Sequence, residues 1–193
     1  MLAAIVLAAA RVFSIDGSVT TVTAHVGKTG LFQVAGHEHT IVARDIQGEI
    51  TLDAQDLSRS AVDLVVSARS LEVSASGEPE GDAPKVQDAM RGPAVLDVGR
   101  FGAVHFGSSA VTGKQTAPGA FDLTVSGEFS LHGVTQAVTV PVHVEVAGST
   151  LTASGKFQIR QTDYGIEPTA AAGGLVKVEN EVALSFRIAA RAQ

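Results

Sequence analysis

The sequence predicts an all-β fold: an antiparallel barrel of about eight strands, interrupted by one short helix. Three observations predict it. The last two-thirds of the chain alternate apolar and polar residues in segment after segment, as in Phe121, Leu123, Val125, Phe129 and Leu131 against Asp122, Thr124, Ser126, Glu128 and Ser130. Period two turns one face of a strand inward and leaves the other to solvent. Short glycine-containing turns join these segments, which favours antiparallel neighbours in a sheet that curls over its apolar face. Finally, 193 residues suit one undivided all-β domain.

Taken in order, Leu2 to Ala10 is an apolar run ending on Ala8-Ala9-Ala10, with no positive residue ahead of it. Small residues after an apolar stretch fit signal cleavage, and nine residues are too few to span a bilayer. Residues 1–10 are therefore expected to be a signal peptide or an unstructured start, leaving 11–193 as one domain that is periplasmic or secreted. Phe13-Ser14-Ile15-Asp16 reads as a lead-in, and Val19–Val26 as a first strand. Gly27-Lys28-Thr29 matches the tail of a phosphate-binding loop but lacks the upstream glycine, so it is read as a turn before extended Leu31–Ala35. Thr40–Leu52 forms a second strand, bent at Gly48, where a missing side chain eases a sharp curl. Ala61–Ser74 forms a third, with Val62, Leu64, Val66 and Ala68 on one face.

The alternation stops at Ser74–Pro84, rich in Ser, Gly, Glu and Pro, as a surface loop would be. Asp82 as cap and Pro84 in the first turn start a helix over Lys85–Arg91, which Gly92-Pro93 ends. Strand resumes at Val104–Val111. Four alternating segments follow: Phe121–Leu131, Val138–Val146, Leu151–Ile159 and Val182–Ile188.

Composition excludes several classes of function. Hydrophobic residues make up 45%, enough for a sizeable core, but there is no Trp and one Tyr, so Val, Leu, Ile and Ala must build it. A net charge of −6 and scattered Lys and Arg argue against nucleic acid and against an anionic membrane surface. The absence of cysteine removes disulfides, thiolate metal sites and cysteine nucleophiles.

Little catalytic chemistry is present. His37-Glu38-His39 would put two imidazoles on one side of a strand, about 7 Å apart, but a stable metal site needs further ligands. His105, His132 and Glu128 are the candidates, and nothing in the sequence brings them near. The expectation is that His37 and His39 hold no metal. Asp163-Tyr164-Gly165 with Arg160 is better read as a barrel end, Tyr164 covering it and Gly165 turning, than as an acid–base cluster. His25 and His143 fall on the polar parity of their strands and should be exposed. Neither a Gly-x-Ser-x-Gly elbow nor a His-Glu-x-x-His motif occurs. No enzyme activity and no cofactor are expected.

Several segments, in order, resemble the YceI-like, polyisoprenoid-binding family from about Phe13 to Ala189. They are Phe13-Ser14-Ile15-Asp16, Ile46-Gln47-Gly48-Glu49-Ile50 and Val65 to Leu71. Further on come Met90 to Asp97 leading into Arg100 to Phe106, then Phe129 to Thr135 and Gln161 to Ile166. Gly102 stands where that family often has proline, and the Ser74–Asp82 loop is acidic and extended. The resemblance implies an extended lipocalin-like barrel, commonly periplasmic, that holds a polyisoprenoid or similar long-chain lipid in its lumen without catalysis, as carrier or reservoir.

The residues agree with that implication independently. A barrel of this size holds either filling side chains or one small ligand, and the many slim Val and Ala residues on the inward parity favour a cavity. The lumen-lining, ligand-binding residues expected are Val66, Phe106, Val125, Phe129, Val140, Val142, Val144, Phe157, Leu184 and Phe186. Two other readings compete: an interaction module of the cell envelope on a solidly packed barrel, and a His-based metal-binding protein. A homodimer is compatible with the sequence but not specified by it, and no stable membrane span is expected.

Overall fold

The computed structural model describes residues 10–29, 38–76, 80–171 and 176–193. Eight strands close into an antiparallel ring: β1 (Arg11–Ile15), β4 (Ile46–Leu52), β5 (Ala61–Ser67), β7 (Ala103–Ala117), β8 (Ala120–Leu131), β9 (Val134–Ala147), β10 (Thr150–Arg160) and β12 (Val176–Ala192). The pairing of Phe13 with Ala192 and Ile15 with Ala190 shuts the ring. Closure removes the unpaired edges that an open sheet would expose.

Four further strands extend one end. β2 (Thr21–Thr29) continues along the same edge of β12 that β1 uses. β3 (His39–Val42) pairs with β2, and β6 (Glu72–Val73) pairs with β3. β11 (Ala170–Ala171) pairs with β12. Three chain segments are thus each broken once on the way up the wall: β1/β2 at a turn, β3/β4 at residues 43–45, and β5/β6 at the 3-10 turn Ala68–Ser70. In the first of these turns Asp16 accepts hydrogen bonds from the Ser18 hydroxyl and backbone N–H. Those bonds, chiefly the hydroxyl's, hold its carboxyl below the ordinary value.

The strands expected over Thr40–Leu52 and Ala61–Ser74 are therefore two each, and the lead-in Phe13–Asp16 contributes β1. Each break shifts the inward parity, from Ile41 to Ile50 and Leu52 and from Val62, Leu64 and Val66 to Leu71, and one continuous strand over either stretch would not show that shift. The strand expected at Val104–Val111 runs on to Ala117, since a polar, solvent-facing stretch gives no alternation to read. Leu31–Ala35, His37 and residues 1–9 of the expected signal segment 1–10 lie outside the described residues.

The helix forms where expected, as α1 (Ala83–Arg91). Asp82 does not cap it through its carboxylate, which accepts instead from Lys85 Nζ at 2.8 Å. α1 covers the free edge of β6, and its side chains substitute for a strand partner there. Gln87 Nε2 donates to the Leu71 carbonyl (2.9 Å), while the Val73 N–H donates to Gln87 Oε1 (2.7 Å). Arg91 donates to the carbonyls of Arg69 and Leu71. No helix among the described residues is long and apolar enough to cross a membrane.

Carboxylates flank the histidines on the outer wall. His143 lies 2.7 Å from Asp122 and 3.8 Å from Glu145. The hydrogen bond to Asp122 is the main cause of a His143 pKa above the ordinary 6.5. A raised folded value means that this contribution to stability is fully present below the unfolded value and is lost as pH rises through the folded one. NMR titration should find His143 titrating above 6.5, and Asp122→Asn should bring it back down. An unchanged midpoint in that variant would contradict the geometry.

Candidate functional site: an apolar lumen

The inward parity of the strands meets at the barrel axis, but the side chains do not fill the space. A cavity of about 260 Å³ remains. All ten residues expected to line a lumen do line it: Val66 from β5, Phe106 from β7, Val125 and Phe129 from β8, Val140, Val142 and Val144 from β9, Phe157 from β10, and Leu184 and Phe186 from β12. The strands place them by register, with Leu123 and Gly155 on either side of Val142, and Phe157 opposite Leu184.

Other lining residues were not anticipated. Val22, Ala24, Val26 and Ile41 come from the extension, and Leu71, Met90, Val95 and Leu96 from the α1 side. The alternation in Val22, Ala24 and Val26 was a usable signal. Met90 was not legible, because a single apolar residue at a helix end points to burial without saying against what.

Polar groups are few, and most are committed elsewhere. Ser60 Oγ accepts from the Asp53 N–H at 3.0 Å, and Gln161 Nε2 donates to the Glu179 carbonyl at 2.7 Å. Ser185 bonds to Thr23 and His105 to Asp63. Among the described residues the lumen therefore presents mainly hydrocarbon, and no Lys, Arg, Asp or Glu lines it. Apolar surface of this kind favours an apolar occupant at about 25 cal/mol per Å² removed from water.

Aromatic rings close one end. Tyr164, 1% exposed, meets Phe129 edge-on with centroids 5.8 Å apart, and Phe129 meets Phe157 in the same way. Burial, with a smaller contribution from Asp163, pushes the Tyr164 hydroxyl above its ordinary pKa. A short 3-10 turn, Gln161–Tyr164, delivers the ring, and Gly165 at φ 70° reverses the chain. His132 Nδ1 donates to the Tyr164 carbonyl at 3.1 Å. The reading of this motif as a barrel end, with Tyr164 covering and Gly165 turning, matches this geometry.

The histidines are scattered. His105 and His132 have the partners just named, and Glu128 sits in the β8 register opposite Gly107 and Ala137. Among the described residues no three His, Asp or Glu groups come together in a way that could hold a metal. His25 is half exposed and 3.2 Å from Glu38.

Compared with known proteins, residues 13–190 match the profile of the YceI-like domain. A UPF0312 protein of Vibrio vulnificus is 29% identical over 141 residues, 73% of this chain and 66% of that protein, so the match spans just under two thirds of that relative's length. A UPF0312 protein of Shewanella oneidensis is 26% identical over 168 residues, 84% of this chain and 79% of that one. Among solved structures, BcnA of Burkholderia cenocepacia superposes with a TM-score of 0.68 at 20% identity, covering 91% of this chain and 98% of that one. A polyisoprenoid binding domain from Saccharophagus degradans, implicated in plant cell wall breakdown, also gives 0.68, at 14% identity and with coverages of 94% and 98%. At these identities the structural likeness establishes a shared fold.

Proposed function

The chain belongs to the YceI-like domain family, and from that premise we propose that it is a non-catalytic carrier or reservoir for a polyisoprenoid or similar long-chain lipid in the cell envelope. The observation that carries the reading is the lumen itself, a cavity of about 260 Å³ walled by hydrocarbon that the inward side chains leave unfilled. Each CH₂ of a prenyl chain moved into such a space contributes about 0.8 kcal/mol, so a tail of a few isoprene units binds without a polar anchor. The polyisoprenoid binding domain from Saccharophagus degradans, which shares the fold, supports the same ligand class.

Native mass spectrometry of protein purified without detergent from its own host tests the proposal. The expected result is a co-purifying lipid whose fragments step by one isoprene unit. Protein that emerges empty, and takes up no prenyl chain when offered one, would overturn it. The envelope location is part of the proposal: N-terminal sequencing of the host protein should begin near Arg11 or Val12, and intact Met1 in a cytosolic fraction would count against export.

A further inference from the structure

We propose that the polar end of the bound lipid emerges through a slit between β9 and β10, where an uncharged head bearing acceptor oxygens is held. This rests on the reading of the lumen as a lipid-chain site and adds to it where the head goes and which head is accepted.

The barrel wall is incomplete at this seam. β9 and β10 pair from Ala147–Thr150 to Val142–Gly155, and the register stops there. The next residue on β9 is Pro141, whose carbonyl faces the Gly155 position and which has no N–H to extend the ladder. Above it, residues 134–141 stay paired to β8 and residues 156–160 to β12. Side chains close what the backbone leaves open.

A cleft of about 310 Å³ occupies the seam, lined by both faces of the wall. Ala137, Gln158 and Arg160 lie on the outward parity. Val138 and Ile159 lie on the inward parity, and with Tyr164 they form its floor. Ile159 also lines the lumen, and Val138 packs on the lumen's apolar cluster. Hydrocarbon side chains, with no strand ladder, are thus all that separates lumen from cleft.

The chemistry changes across that floor. Inside, the polar side chains Ser60, Gln161, Ser185 and His105 of the lining already have partners in the wall. In the cleft, the Arg160 guanidinium and the Gln158 amide offer donors from the outward parity, while the exposed Gln136 amide, on the inward parity of β9 next to Val138, spends one of its own on the Asp163 carbonyl. Asp163 and Glu181 line the same cleft, Glu181 opposite Arg160 in the β10–β12 register. Two carboxylates against one guanidinium suit a hydroxyl or carbonyl head and repel a phosphate or diphosphate.

Three probes that compete with a fluorescent prenyl reporter test this: squalene, which has no head, geranylgeraniol, and geranylgeranyl diphosphate. The alcohol should bind at least tenfold more tightly than the diphosphate. Arg160→Ala should weaken the alcohol about fivefold while squalene binding, which also reports that the barrel is intact, stays unchanged. Asp163→Asn with Glu181→Gln should narrow the gap between alcohol and diphosphate severalfold. If squalene binds but neither the alcohol nor the gap responds to these variants, the cleft proposal is overturned and the lumen reading stands. If squalene does not bind wild type, the lumen reading falls and takes this proposal with it.

Discussion

Val142→Glu is expected to lower the affinity for a prenyl chain by at least about 30-fold while shifting the melting temperature by only a few degrees. Val142 lies midway along β9, faces the lumen, and is only partly buried. Its neighbour on β10 is Gly155, which has no side chain to crowd a longer residue. In the empty barrel a carboxylate there can be reached by water entering the cavity, so its ionised form stays solvated. A lipid tail displaces that water. An unpaired polar group left dry costs about 2 kcal/mol or more, and 1.4 kcal/mol is a factor of ten in affinity.

Among the described residues, no Lys or Arg lines the lumen to pair with the new carboxylate. Thr139→Glu, on the outward parity where Thr139 bonds Ser126, should change neither property appreciably. A fluorescent prenyl-analogue titration and a thermal melt on both variants check the pair of expectations. If Val142→Glu unfolds the protein and wild type binds no analogue, the lumen is not a lipid site, and the barrel serves some other purpose.

The same residue illustrates how much of the site was legible. Val138, Val140, Val142, Val144 and Val146 alternate without interruption, and parity alone assigns them to the inner face because one residue of slip would turn every one outward. What parity cannot supply is contact between distant segments. Nothing in Leu71, Met90, Val95 or Leu96 announces that a helix end and its following loop complete the wall beside β6. That depends on β5 breaking at Ala68–Ser70, where the inward parity shifts from Val62, Leu64 and Val66 to Leu71, and on pairing between segments that no local pattern records. The histidine–carboxylate pairs His143–Asp122 and His105–Asp63 were hidden for the same reason. Each joins two strands, and register across strands is set by turns and bulges such as the shift between Ser108 and Ala110. The slit between β9 and β10 was half visible. A proline inside a valine-rich strand argues that a ladder ends there, but not which of two neighbours is lost.

Gly48→Ala is expected to be among the most destabilising single-methyl additions in the chain, costing about 3–5 kcal/mol and lowering the melting temperature by roughly 10 °C. These magnitudes combine a glycine-only backbone conformation, overpacking and the usual slope of melting temperature for a chain of this length. Gly48 sits inside β4 at φ 154°, a conformation L side chains rarely adopt. It pairs with Leu64 on β5. A Cβ at position 48 would run into the Asp63 carbonyl oxygen and stand 2.8 Å from the Leu64 Cα. Both obstacles are backbone, so no rotamer change relieves them. Either β4 straightens or the two strands part, and the ring depends on both, because β4 links β1 to β5. Two controls separate strain from the methyl group itself. Gly148→Ala, at φ 61° with open space around it, should cost only the left-handed penalty of about 1–2 kcal/mol. Gly102→Ala, in open space and without a positive φ, should melt close to wild type. Were Gly48→Ala to melt alongside Gly102→Ala, the sharp curl of β4 would not be what closes the barrel. The cavity's shape would then have to come from the splayed seam between β9 and β10.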